Sequence, residues 1–170
     1  MSKIQLNATL SRNSFKSVAD YLQRYKEAIT KGTQNGVKAV TEKALDIVKA
    51  NCYENGINNH TDNIYADYDE TTNVGKVYTN DFVIIFNEMG TGITGANNPH
   101  PNPSKEFTNW KYDVNEHGEK GWKYPKEDGT YGWTKGLPSR HMFYDTYNQI
   151  KDILGETISL EIEKTTEDLY

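Results

Sequence analysis

The sequence predicts an α+β fold in which a long N-terminal helix and a C-terminal helix pack on a small antiparallel sheet. Three observations predict it. Apolar residues recur at helical spacing from Val18 to Cys52, apolar and polar residues alternate from Asn63 to Glu70, and a second helical stripe follows Pro138. Residues 93–135, rich in Trp, Pro and Gly, are predicted to be a long loop or hairpin insertion.

The N-terminal helix is predicted to begin near Ser17, where Asp20 stands three residues later as in a capping box. Its apolar stripe comprises Val18, Leu22, Tyr25, Ile29, Val37, Val40, Ala44, Leu45, Val48 and Cys52. Each glycine inside a helix costs about 1 kcal/mol relative to alanine. We therefore expect a kink or short break at Gly32 and Gly36, and a left-handed end at Asn55-Gly56.

Residues 63–70 are predicted to form a half-buried strand, followed by a turn over 71–75. Residues 76–87 are predicted to form its partner strand. The run from Phe82 to Phe86 is apolar on both faces, which favours a central position in the sheet.

The segment after Pro99, Pro101 and Pro103 carries three related tripeptides. They are Trp110-Lys111-Tyr112, Trp122-Lys123-Tyr124 and Tyr131-Gly132-Trp133. Asp128-Gly129 is typical of a type I′ hairpin turn, and a two-residue turn there would place Trp133 opposite Tyr124. The sequence therefore predicts an aromatic hairpin, with a candidate protein interface formed by Trp110, Trp122, Tyr124 and Trp133.

The C-terminal helix is predicted from a stripe of apolar residues that begins soon after Pro138-Ser139. The stripe comprises Phe143, Tyr147, Ile150, Leu154, Ile158 and Ile162. At 170 residues and 19.4 kDa the chain is expected to form one domain over residues 1–170. Residues 1–13 are expected to be flexible, and the acidic tail 161–170 is expected to fray.

Composition narrows the classes of function. The net charge is −5, the isoelectric point is about 5.4, and the sequence has no block of Lys and Arg, so direct binding of nucleic acid is not expected. No stretch approaches the roughly 18 apolar residues of a membrane span, and the N-terminus lacks a signal-peptide core. The single cysteine, Cys52, lies on the apolar helix stripe and is predicted to be buried.

No catalytic or metal-binding pattern is found in the sequence. His60, His100, His117 and His141 lie far apart and outside the spacings of metal ligands. No phosphate loop, dinucleotide fingerprint or nucleophile elbow occurs, so we expect no enzyme activity, cofactor or metal. Glu88 follows an apolar run, and its carboxylate is predicted to accept backbone N–H groups of the loop from Gly90 to Gly92.

Two motifs stand in a fixed order around the aromatic segment. Phe86-Asn87-Glu88-Met89-Gly90-Thr91-Gly92 precedes it, and Gly136-Leu137-Pro138-Ser139-Arg140-His141-Met142-Phe143 follows it. This order resembles the neck, tail-completion or head-tail connector proteins of tailed bacteriophages. The matching positions are Glu88, Gly90, Thr91, Gly136, Pro138, Met142 and Phe143. One departure is that residues 58–63 stand where family members often carry Gly-x-Leu-Arg, so a role of that arginine does not transfer.

The resemblance implies a structural role without catalysis. It implies a ring oligomer at the head-tail junction, with other phage head or tail proteins as partners and with no nucleic acid, membrane or small-molecule substrate. The protein would lie in the host cytoplasm during assembly and in the virion neck or tail afterwards. Two alternatives stay open. They are a tail terminator, and a cell-wall glycan or choline-binding module, which would need exposed Trp122 and Trp133 because residues 118–133 are similar to Gly-Trp hairpin repeats.

Overall fold

The computed structural model describes residues 11–102, 108–126 and 128–169. The expected mixture of helix and sheet is confirmed: 61% of the described residues are helical and 13% lie in strands. In chain order the first elements are α1 (Arg12–Glu54), a 3-10 turn (Asn58–Asn63), β1 (Ile64–Asp69), β2 (Val74–Thr79), α2 (Phe82–Met89) and α3 (Gly92–Asn97). They are followed by a 3-10 turn (Gly118–Lys120), β3 (Trp122–Pro125), β4 (Tyr131–Thr134), α4 (Met142–Thr166) and a 3-10 turn (Glu167–Leu169).

The long helix α1 begins five residues earlier than predicted. The hydroxyl of Ser17 donates to the carbonyl of Asn13 inside the helix and does not cap its start. The predicted end is confirmed, since Gly56 takes a positive φ of 73° just after Glu54. The break expected at Gly32 and Gly36 is absent, because α1 is a continuous helix over both positions.

Two compact units divide the chain. The first contains residues 1–43, 67–76 and 150–170, and the second contains residues 44–66 and 77–149. In the first unit the two glycines of α1 lie against α4. A Cβ added at Gly32 would stand 2.6 Å from Cα of Ile162, and one at Gly36 would stand 2.8 Å from Cα of Ile158. Close packing of two helix backbones therefore explains these glycines, whose low helix propensity predicts a break.

The first predicted strand is confirmed as β1, which pairs with β2 in a two-stranded antiparallel sheet. The prediction that the second strand continues to Asn87 is wrong, because Phe82–Met89 is the helix α2. Asp81 caps this helix by accepting the N–H of Val83 at 2.7 Å, and Gly90 ends it with a φ of 82°. A short apolar run fits a buried strand and a helix equally well, and here the two caps decide in favour of a helix.

The second unit contains the main apolar core. Its buried members are Val48, Cys52, Ile57, Ile64, Ile84 and Met142, with Leu45, Val77 and Phe143 packed against them. The predicted burial of Cys52 is confirmed, and its Sγ lies 3.7 Å from Sδ of Met142. Burial, with a smaller contribution from the charge of Glu88, raises the pKa of this thiol to about 11.

The predicted aromatic hairpin is confirmed as β3 and β4, but its register is shifted by one residue. Trp133 pairs with Lys123, and Tyr124 pairs with Gly132. Asp128 does not take the positive φ of a type I′ turn. Its carboxylate accepts the N–H and the hydroxyl of Thr130, and the loop is one residue longer than a two-residue turn. The ring of Tyr124 consequently lies over Gly132.

No helix in the described part of the chain is both long enough and apolar enough to cross a membrane.

Candidate functional site

The two sequence motifs, separated by the whole aromatic segment, lie side by side in the second unit. The N–H of Thr91 donates to the carbonyl of Leu137 at 2.8 Å, and the N–H of Leu137 donates back to Thr91 at 3.1 Å. A further bond joins the N–H of Arg140 to the carbonyl of Asn87 at 2.8 Å. We call residues 87–92 together with residues 136–144 the motif junction.

The glycines of the motif junction are required by its close approach. Gly136 has a φ of 106°, and a Cβ there would stand 1.8 Å from the carbonyl oxygen of Thr91. Gly90 has a φ of 82°, and its Cβ would stand 2.8 Å from the nitrogen of Ser139. Pro138 is exposed. Its neighbours Leu137 and Ser139 donate their N–H groups to the carbonyls of Thr91 and Asn98. The two glycines therefore allow one backbone-to-backbone contact between the motifs.

Glu88 caps the N-terminus of α4. Its carboxylate accepts the N–H of Phe143 at 2.9 Å and the N–H of Tyr144 at 3.1 Å. The predicted role as an acceptor of backbone N–H groups is correct, but the predicted donors are wrong. The N–H groups of Gly90 and Gly92 already donate to the carbonyls of Phe86 and Tyr112. The side chain of Glu88 therefore serves a helix that starts more than fifty residues later.

His100 completes the environment of this carboxylate. Its Nε2 lies 3.0 Å from Glu88, and its Nδ1 accepts the N–H of Asn102 at 3.1 Å, which assigns the ring hydrogen to Nε2. The ring is buried and meets Tyr144 and His141 edge-on, at centroid distances of 5.5 and 5.8 Å. No role of His100 is predicted from the sequence, because Glu88 and Tyr144 lie twelve or more residues away and follow no known spacing.

A second carboxylate, Asp81, fixes the other end of α2. Besides the N–H of Val83, it accepts hydrogen bonds from Nδ2 of Asn63 at 2.6 Å and Nδ1 of His60 at 2.7 Å. Burial alone would raise the pKa of Asp81, but these three hydrogen bonds together hold that pKa below its usual range. The helix between Asp81 and Glu88 is thus fastened at both ends by hydrogen bonds to carboxylates. No group of three or more metal-ligating side chains occurs in the described ranges.

The outer side of α2 carries an exposed aromatic row. The rings of Phe82 and Phe86 are 6.1 Å apart, and those of Phe86 and Trp110 are 6.0 Å apart. Trp110 also donates from its indole Nε1 to the carbonyl of Gly90 at 2.9 Å. Phe82 is 71% exposed, and Val83 and Phe86 are about 40% exposed. We call Phe82, Val83 and Phe86 the α2 face.

The α2 face adjoins an open cleft of about 1110 Å³ lined by Phe86, Trp110, Trp122, Tyr124 and Trp133 among others. The four predicted interface residues thus line one surface, but they do not contribute equally. Trp110 is half-buried and bonded to the motif junction. Trp122 is also half-buried, with its ring against Gly92 and 5.0 Å from that of His117. Trp133 is 59% exposed and Tyr124 is 41% exposed.

The chain matches no protein-family model, no curated protein and no solved structure in the three comparisons made with known proteins.

Proposed function

We propose that this protein is a structural component of the neck of a tailed bacteriophage, of the tail-completion type, and that it acts by assembling with other virion proteins. The observation that carries the proposal is the α2 face. A helix that is apolar on all sides is normally buried on all sides. In α2, Ile84 and Met89 are buried in the chain, whereas Phe82, Val83 and Phe86 face solvent. A partner surface would cover them.

The motif junction supports the same proposal. Its carboxylate and backbone groups bond to one another, and these bonds hold α2 and the aromatic cleft in fixed positions. A rigid support with exposed aromatic side chains suits a protein interface, because little conformational freedom is lost on binding.

The test is complementation of a phage that lacks the gene for this chain. We expect lysates of the null phage to contain separate heads and tails, and the wild-type gene to restore joined particles in electron micrographs. The variant Phe82→Asp should fold, with an unchanged circular dichroism spectrum, yet fail to restore joined particles. A control, Val74→Asp, alters a side chain of the other compact unit that is 42% exposed and should complement fully. Joined, infectious particles from the null phage would refute the proposal.

A tail terminator is the first alternative, and the same lysates distinguish it. Loss of a terminator would leave tails of irregular length, whereas loss of a neck component should leave tails of normal length beside unattached heads.

A cell-wall glycan or choline-binding module is the second alternative, and the exposed ring of Trp133 in the cleft favours it. Packing of Trp122 against Gly92 and His117 counts against it, because the repeat-type site needs both tryptophans exposed. Retention of the purified protein on choline resin or cell-wall glycan, abolished by Trp133→Ala, would favour this alternative.

A further inference from the structure

The N-terminal part of α1 carries an apolar stripe that continues an interface already formed in the first unit. Phe15, Val18, Leu22, Tyr25, Ile29, Gly32 and Gly36 follow one another at alternating steps of three and four. The last two of these positions pack against α4. A strict repeat of this kind is the pattern of helices that pair along their length. The spacing therefore predicts a helical partner along the whole stripe.

The chain's own α4 covers only part of that stripe. Near its end, the hydroxyl of Thr165 donates to the carbonyl of Ala28 at 2.9 Å, and α4 ends at Thr166. From Arg12 to Glu27, α1 continues for about 24 Å at 1.5 Å per residue. Phe15 is 55% exposed there, and Leu22 is 51% exposed. We call residues 12–27 the α1 arm.

Charge indicates what kind of helix fits the α1 arm. The arm has four basic and two acidic side chains, a net charge of +2, although the whole chain is at −5. Over residues 150–169, the end of α4 and the 3-10 turn after it have six acidic and two basic side chains, a net charge of −4. The complementary partner is an acidic amphipathic helix.

The same chain offers such a surface on the outside of α4. Leu160 is 49% exposed, and Glu156, Glu163 and Glu167 stand four residues before it and three and seven residues after it. On the α1 arm, Lys26 stands four residues after Leu22. An exposed leucine beside Lys26 on one copy thus matches, on another copy, an exposed leucine near three glutamates and one lysine, Lys164, which already pairs with Glu161.

We propose that the α1 arm of one copy docks on the outer face of α4, around Leu160, of a second copy. The two contacting surfaces differ, so the association is head-to-tail, and a pair of copies still has one free α1 arm and one free α4 face. This inference rests on the proposed function only for its biological setting, because the contact forms or fails in solution whatever the outcome of head-tail attachment.

The test is sedimentation equilibrium of the full chain over a wide concentration series. We expect reversible association that weakens with salt. Leu22→Asp should raise the apparent dissociation constant by about tenfold or more, since it places a charge in an apolar contact. The control Asn13→Asp adds the same charge on the opposite side of the same helix and should change little.

A charge exchange identifies the partner surface. Lys26→Glu and Glu163→Lys should each raise the dissociation constant by about three- to tenfold, and the double variant should restore association, because the pair is then reversed. A wild-type protein that stays monomeric at all concentrations would overturn the inference. So would association that Leu22→Asp leaves intact, or a double variant no better than the single ones. Helix content measured by circular dichroism separates loss of contact from loss of fold.

Discussion

The first turn of α4 and its last turns are held by different kinds of contact. In the second unit, Glu88 and the backbone pairing of the motif junction fix the first turn through hydrogen bonds. In the first unit, Gly32 and Gly36 let the later turns approach α1 backbone to backbone. The hydrogen bonds at the first turn depend on geometry and charge. The close packing at the later turns depends on the absence of a side chain at the two glycines. Substitutions of equal size should therefore have different costs in the two regions.

The largest effect is expected at the motif junction. Gly136→Ala places a Cβ against the carbonyl of Thr91 in a backbone conformation that L-residues rarely adopt. We expect a loss of about 3 to 4 kcal/mol in the free energy of unfolding, measured by chemical denaturation. The control Gly118→Ala has a positive φ of 51° but open space around it, and should cost only about 1 kcal/mol. Similar losses in both variants would show that backbone conformation and not close approach matters at Gly136.

The second-largest effect is expected at Glu88, the carboxylate of the motif junction. Glu88→Gln puts an amide group where two backbone N–H groups and His100 need acceptors, leaving at least one buried donor unpaired. The expected loss is about 2 to 3 kcal/mol in thermal or urea unfolding. Glu119→Gln is the matched control, because the carboxylate of Glu119 also accepts a hydrogen bond, from Lys135 at 2.7 Å, but is well exposed. Its loss should stay below about 1 kcal/mol. Equal effects would mean that Glu88 contributes no more than a surface charge.

The smallest effect is expected where α1 packs against α4 in the first unit. Gly32→Ala gains helix propensity but meets the backbone of Ile162, so we expect a net loss of about 1 to 2 kcal/mol in the free energy of unfolding. Gly155→Ala, in α4 with open space around it, should instead raise stability by about 0.5 to 1 kcal/mol. If Gly32→Ala raised stability, α1 and α4 would be packed less closely at this position than the distances indicate.

The two regions also differ in how far the sequence predicts them. The stripe of α1 and the stripe of α4 are local patterns, and both helices are confirmed. The meaning of Gly32 and Gly36 is not local, because a glycine that breaks a helix and a glycine that admits a neighbouring helix look alike in the sequence. The partner surface, which lies more than a hundred residues away, decides between them.

The motif junction was predicted as two separate motifs, and Glu88 was recognised as an acceptor. Its donors in α4 could not be predicted, because no periodicity links Glu88 to Phe143. The apolar run of α2 predicts a strand because it has no polar face, and this prediction is wrong. Because the run is apolar on every side, Phe82 and Phe86 lie exposed, and their exposure supports the proposed function. Asp81 and Gly90, at the two ends of the run, were the signals that could have identified the helix.

The burial of Cys52 provides a natural reporter of motion in the second unit. It is the only cysteine of the chain, it contacts Met142 in the main core, and its raised pKa keeps it in the unreactive thiol form at neutral pH. A thiol reagent can modify it only after that core opens. The labelling rate of the unmodified protein therefore measures how often the core opens, without the introduction of any probe.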